Sequence, residues 1–169
     1  QGMKKSVIRE LLKLTRRPEV ISFAGGLPDL SAFPVDEVAD VTVDVLRRDG
    51  VTALQYSPTE GDPRLKEELI AHHEREDGIT LSPENILITV ASQQGLDLVG
   101  KIFIDRDDPV IVGLPTYVGG LGAFRAYGAN MIGVPLDEHG MKMDALERKL
   151  EKLKKEGRKP KFIYVVPDF

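Results

Sequence analysis

The sequence predicts an α/β protein in three layers, α/β/α, with helices over both faces of a mostly parallel sheet. Three observations predict it. Short runs rich in β-branched and aliphatic residues recur at Ile86–Val90, Val110–Val112, Met131–Val134 and Phe162–Val166. Segments of helical character separate them, which is the signature of βαβ units, and strands covered on both faces read as continuous apolar runs. The composition is globular, with 41% hydrophobic and 30% charged residues in a chain of 169, unlike that of a disordered segment.

Each element has a local reason. Lys4 to Thr15 carries Val7, Ile8, Leu11 and Leu12 on one helical stripe, and Pro18 lies just beyond it. Ile21-Ser22-Phe23-Ala24-Gly25-Gly26-Leu27-Pro28-Asp29 breaks into adjacent glycines, which disfavour a helix; it reads as a loop whose backbone closely approaches something. Pro34 to Arg48 reads as a helix with Val38, Val41, Val45 and Leu46 on one face. Asp62-Pro63 supplies the N-cap and first residue of another, with Leu65, Leu69 and Ile70 turned inward. Ser82-Pro83 makes a turn before the strand Ile86–Val90. A helix over Gln93 to Ile104, the strand Val110–Val112, a helix over Tyr117 to Tyr127 and the strand Met131–Val134 follow. Asp144 with Glu147 has the spacing of a capping box, and Phe162–Val166 is the last strand. Pro167-Asp168-Phe169 ends the chain at the carboxyl edge of a buried strand, where doubly wound sheets bind ligands. The sequence therefore reads as an incomplete domain.

Composition excludes several functions. Lys and Arg number 23 against 27 Asp and Glu, a net charge of −4, which argues against a general nucleic-acid binder. There are no cysteines, so disulfides, a thiolate nucleophile and Cys-ligated metals are out, and a reducing compartment fits. No apolar run approaches the ~20 residues of a membrane span. The expectation is a cytoplasmic protein with no nucleic-acid or membrane partner.

Val90-Ala91-Ser92-Gln93-Gln94-Gly95 joins a strand end to a helix start. First-turn N–H groups and the helix dipole make such a place an anion site, most naturally for phosphate. Ser92, Gln93 and Gln94 add donors, although Ser92 reads equally well as a plain N-cap. Leu114-Pro115-Thr116-Tyr117 stands at the same place after the next strand, where Tyr117 either offers its face to a planar ligand or simply packs. Tyr56 lies in the polar loop Leu54–Gly61, where it either serves a site or packs over the next helix. The remaining candidates are plainer. His72 and His73 are adjacent and cannot make a metal pair at helical spacing, and His139 sits in a solvated turn. Gly119-Gly120-Leu121-Gly122 fails as a dinucleotide fingerprint because Arg125 occupies the place of the third glycine. Arg148 to Lys161 is interleaved with acids, including a Glu151–Lys155 pair, and reads as a solvated helix face. Spacing supports no metal site and no catalytic triad.

Five segments, in order, resemble those of fold type I pyridoxal-phosphate-dependent aminotransferases of class I/II, the aminoadipate and kynurenine aminotransferase group. They are Ser22–Asp29, Leu54–Gly61, Ser92–Leu98, Val112–Tyr117 and Tyr164–Phe169. The resemblance implies the N-terminal portion of that fold. Residues 1–33 would belong to a helix and substrate-side loop of the small domain or arm, and residues 34–169 to a truncated large cofactor-binding domain. It implies that Ser92, Gln93 and Gln94 form part of the phosphate cup and that Tyr117 stacks on the pyridine ring. Tyr56 would reach the phosphate of the neighbouring subunit of a homodimer. Gly25, Ser6 and Arg9 would lie on the substrate side. The Schiff-base lysine and the residues that hold the ring nitrogen and substrate carboxylate would lie downstream, in the remainder of the enzyme; Asp168 is not the pyridine partner, and the chain alone would be inactive. The complete enzyme would exchange an amino group between an amino acid and a 2-oxo acid through pyridoxal phosphate. The alternatives are the effector-sensing domain of a transcription regulator and a lyase of the same fold.

Overall fold

The computed structural model describes residues 19–21 and 28–167. The expected helix over Lys4 to Thr15, with Ser6 and Arg9, and the glycine loop at Gly25 lie outside those residues. Contacts divide the chain into two units, Gln1–Ile86 and Leu87–Phe169.

In the first unit a 3₁₀ turn at Leu30–Ala32 precedes α1 (Val35–Ala53). Helix α1 runs past the expected end at Arg48: Asp49 leaves helical geometry (φ −142°, ψ 24°) and the helix then resumes. Helix α2 (Pro63–Asp77) starts as the sequence predicts, with Asp62 accepting the N–H of Arg64 and Pro63 at the first position. Gly78 ends it at φ +66°, the left-handed geometry that glycine adopts without a Cβ penalty. The expected inward faces are less covered than their pattern suggests. Val38, Val41, Leu46 and Leu65 are exposed, while Val45, Leu69 and Ile70 are half-buried, because no described residue of this unit packs over the rest.

Arg64 ties this unit together. Its guanidinium reaches Asp49 Oδ2 at 2.8 Å and Asp62 Oδ2 at 2.9 Å, so one cation bridges the kink of α1 and the cap of α2. Hydrogen bonds from the Arg64 side chain and backbone hold the Asp62 carboxyl at about 2, below its ordinary 3.8.

The first unit ends with a 3₁₀ turn at Pro83–Asn85, and an extended segment leads into the second. Ile86–Val90 is not the strand expected. Ile86 has extended backbone (φ −121°, ψ 129°), but among the described residues no neighbouring strand pairs with the segment, and pairing is what makes a strand. Then come α3 (Ala91–Phe103), β1 (Pro109–Leu114), α4 (Val118–Ala126), β2 (Asn130–Asp137), β3 (Gly140–Met141), α5 (Met143–Lys155) and β4 (Ile163–Tyr164). The sheet order is β3-β2-β1-β4. Strand β1 pairs in parallel with β2, Ile111 opposite Ile132, and with β4, Val112 opposite Tyr164. Only the short β3 is antiparallel, joined to β2 by the turn at His139, whose N–H donates to Asp137 Oδ1.

The alternation of β1 builds the layers. Val110 and Val112 face α3 and α4, packing with Ile104, Ala123 and Phe124. Ile111 faces α5 with Val134, Ala145 and Leu146. Phe124 anchors the first face, edge-on to Phe162 and Tyr164 at 5.1 and 5.2 Å between ring centroids. The three-layer α/β/α arrangement is thus as predicted.

Two local expectations fail around α5. Its N-cap is Lys142, which makes no side-chain cap bond, so Asp144 falls within the first turn and no capping box forms. The β2–β3 hairpin delivers the chain to helical geometry one residue before Asp144, which instead pairs with Arg148 at 2.8 Å. The Glu151–Lys155 pair is also absent; Lys152 approaches Glu156 at 3.9 Å. Exposed pairs gain too little over side-chain entropy to fix which partner is chosen. Among the described residues no helix is long and apolar enough to cross a membrane.

The Arg64 bridge gives a pH signature. The Asp62 carboxylate is favoured in the folded state, so its contribution is complete above its ordinary titration range and is lost as pH falls toward about 2. Asp62→Asn keeps a capping oxygen and removes the charge. Wild type should therefore exceed Asp62→Asn in stability at about pH 7, and the gap should narrow at about pH 3, as measured by denaturant unfolding at low salt. A gap independent of pH would show that the charge contributes nothing.

Candidate functional site

Two helices of the second unit begin at one place beyond the carboxyl end of the sheet. Helix α3 follows the extended segment and α4 follows β1, with Tyr117 as the N-cap of α4. Their first turns are tied by a long-range bond, in which Gln93 Nε2 donates to the Gly119 carbonyl at 3.3 Å. Ser92, Gln93 and Tyr117, singled out separately in the sequence, are thereby brought to one locus.

The α3 end is strained and only partly capped. Ala91 holds φ +56°, a left-handed conformation that costs about 1–2 kcal/mol for a residue with a Cβ, and such strain collects at functional sites. Val90 is the N-cap and has no side chain able to serve the helix. The plain N-cap reading of Ser92 is therefore wrong: Ser92 is already one residue inside the helix. Its hydroxyl bonds no other described side chain or backbone group, so it stands beside first-turn N–H groups that also lack intrahelical acceptors. Gln94 serves the backbone instead, its Oε1 accepting the Val90 N–H at 2.5 Å. Thr89 Oγ1 donates to the Ala91 carbonyl at 3.1 Å and steadies the strained residue.

The α4 end supplies an aromatic face. Tyr117 is 44% exposed, and its ring lies across Gly119 so closely that a Cβ there would stand 2.6 Å from the phenolic oxygen. Gly120 does the same for Tyr164, whose Cζ would be 2.8 Å from an added Cβ. The Gly119-Gly120 pair thus makes room for two neighbouring rings. Burial raises the Tyr164 phenol above its ordinary titration range, and the nearby Tyr117 adds to the shift. Immediately before Tyr117, past the cis Leu114–Pro115 bond, Thr116 is 8% exposed and its Oγ1 has no hydrogen-bond partner among the described residues. The sequence reading missed Gly119, Thr116 and Tyr164. A Gly-Gly pair two residues after a strand-end aromatic was the available signal for Gly119.

Tyr56 is 99% exposed in its loop in the first unit. Gly25, Ser6 and Arg9 lie outside the described residues. His139 is exposed, and His73 pairs with Asp77 at 2.7 Å. Among the described residues no cluster could hold a metal ion.

A locus with phosphate-suited donors on one helix end and a ring face on the other is matched by relatedness. The family model described as aminotransferase class I and II fits residues 18–166. The chain belongs to the class I and II aminotransferases. It is similar to the 2-aminoadipate transaminase of Thermus thermophilus, 48% identical over 164 residues, covering 97% of this chain and 38% of that protein. It is also similar to aromatic-amino-acid aminotransferase 1 of Thermococcus litoralis, 44% identical over 168 residues, covering 99% and 40%. The crystal structure of kynurenine aminotransferase from Pyrococcus horikoshii, in complex with PMP, superposes with a TM-score of 0.90 at 42% identity, covering 98% of this chain and 41% of that one. This aminotransferase chain spans about 40% of the length of the curated relatives it matches. Its α/β layers are part of the fold type I domain, and these relatives do not favour the sensor alternative.

The ring clearance at Gly119 can be tested in this aminotransferase. Gly119→Ala should force the Tyr117 ring aside and cost about 1–3 kcal/mol as an overpacked site, with altered near-ultraviolet tyrosine dichroism. Adding Tyr117→Ala should recover most of that loss, because the clash needs both partners. Additive losses in the double variant would show that the two residues are independent.

Proposed function

We propose that the enzyme to which this chain contributes is a pyridoxal-phosphate-dependent aminotransferase acting between an amino acid and a 2-oxo acid. The observation that carries the reading is the Gln93–Gly119 tie, which joins a strained helix end rich in N–H donors to an exposed aromatic ring. Pyridoxal phosphate has two parts for a protein to hold, a dianionic phosphate and a flat ring, and these residues suit one each. The PMP complex of the kynurenine aminotransferase supports the same cofactor here.

When bound, the cofactor supplies the electron sink that amino-group transfer requires. The chain's own part is to bind and orient. The Ser92 hydroxyl and the first-turn N–H groups of α3 donate to phosphate oxygens. Gln93 contributes through its backbone, since its side-chain amide is engaged with Gly119. Gln94 likewise acts by fixing the turn, its Oε1 being engaged with Val90. Tyr117 covers one face of the ring and keeps water from it. Tyr56, exposed on its loop, reaches the phosphate of the neighbouring subunit in a homodimer. Gly25, Ser6 and Arg9 serve the substrate side, and the lysine that carries the cofactor comes from the remainder of the enzyme. The same reading divides the chain into an arm, 1–33, and the first part of the large domain, 34–169. It also makes the enzyme cytoplasmic, which the lack of cysteine fits.

Ser92→Ala in the full-length enzyme is the direct test. A hydrogen bond to a charged group contributes about 1.5–3 kcal/mol, so the pyridoxal phosphate Kd should rise about tenfold or more while the melting temperature of the apo form stays close to wild type. Unchanged affinity would remove Ser92 from the cup. For Tyr56, cofactor absorbance followed on dilution should fall in step with dimer dissociation, and full retention by monomers would contradict a shared site.

A further inference from the structure

The Thr116 hydroxyl is the one buried side-chain oxygen among the described residues without a hydrogen-bond partner. The side chain is 8% exposed, yet its neighbours Leu114 and Tyr117 are 47% and 44% exposed. The loop after β1 thus turns one polar group inward while presenting apolar and aromatic residues outward. Valine has the same shape and β-branching and would bury there with no unpaired oxygen, so a hydroxyl in this position costs free energy unless something pairs with it. The ring of Tyr117 follows directly, seated on Gly119, so whatever fixes Thr116 also fixes where that ring starts.

We propose that Thr116 is a positioning residue for Tyr117: its hydroxyl donates to an acceptor supplied by the completed cofactor site, and this bond locks the Leu114–Tyr117 loop so that the Tyr117 ring is held ready for its ligand. The acceptor is a group on the remainder of the enzyme. This rests on the cofactor reading above and adds a residue that acts through another without touching the ring.

The test uses the full-length enzyme with Thr116→Val, which keeps shape and removes the donor, and Thr116→Ser, which keeps the donor. Apo melting temperature and the Kd for pyridoxal phosphate, by absorbance titration, are measured for each. Thr116→Val should raise the Kd about tenfold, and Thr116→Ser should stay close to wild type. In a Tyr117→Ala background Thr116→Val should add little, because the residue it positions is gone. The apo melting temperature of Thr116→Val should fall, because the acceptor belongs to the protein; an unchanged one would place the bond on the cofactor and overturn the positioning role. Should Thr116→Val fail to fold, Thr116→Ala is read in the same way. A wild-type Kd in Thr116→Val, with or without a change in melting temperature, overturns the proposal. So does an equal loss in the Tyr117→Ala background. If the wild-type enzyme itself binds no pyridoxal phosphate, the cofactor reading fails first; if it binds and Thr116→Val matches it, only the role of Thr116 fails.

Discussion

The burial of β1 on both faces fixes nearly everything in the second unit. Val110, Ile111 and Val112 are sealed from water, and because successive side chains point oppositely they commit α3 and α4 to one face and α5 to the other. A slip of one residue would exchange the two sets and bring every packed side chain to the wrong layer. With β1 held so firmly, the chain must leave the sheet at Leu114, and the loop that follows it has a defined origin. Precision at the candidate site starts in this apolar strand.

From that origin the two helix ends divide the work. Helix α3 brings N–H donors and the Ser92 hydroxyl, which bonds no other described group; helix α4 brings a ring. Neither is specific by itself, since any helix can start with unpaired N–H groups and many tyrosines are half-exposed. The Gln93–Gly119 bond joins them, and it engages the Gln93 side-chain amide that could otherwise have served as an additional ligand at that turn. Gln94 is engaged likewise. Two residues that look like ligands in the sequence therefore act as the frame for Ser92 and Tyr117, a distinction that spacing cannot express.

How much was legible follows the same division between local and distant causes. Runs such as Val110–Val112 and Met131–Val134 declared themselves because a strand covered on both faces is apolar at every position. Asp62-Pro63 declared a helix start because capping is decided within a few residues. Ile86–Val90 looked equally like a strand, but a strand exists only through its neighbour, and no pattern within the segment encodes whether one is present. The capping box at Asp144 failed because the β2–β3 hairpin sets where α5 begins. Thr116 was quoted within a motif yet carried no signal of its own, because burial of its hydroxyl is a property of packing.

Gly119-Gly120 shows how one pattern can be tested against the wrong chemistry. Measured as a dinucleotide fingerprint it lacks a glycine and fails, since that motif uses glycine to let a pyrophosphate approach the backbone. Here glycine admits something else. Each of the two residues leaves the space of one Cβ, and each space is taken by a tyrosine ring, Tyr117 over the first and Tyr164 over the second. The outer ring is exposed enough to meet a ligand, while the inner one packs edge-on against the fully buried Phe124. One ring thus packs on the core while the other is exposed at the site, and the room for both comes from side chains that are absent. An α4 with alanine at those positions would keep its helix and its dipole but lose the seat of the ring, which separates the role of this helix end from that of α3, where the dipole and its N–H groups are the point.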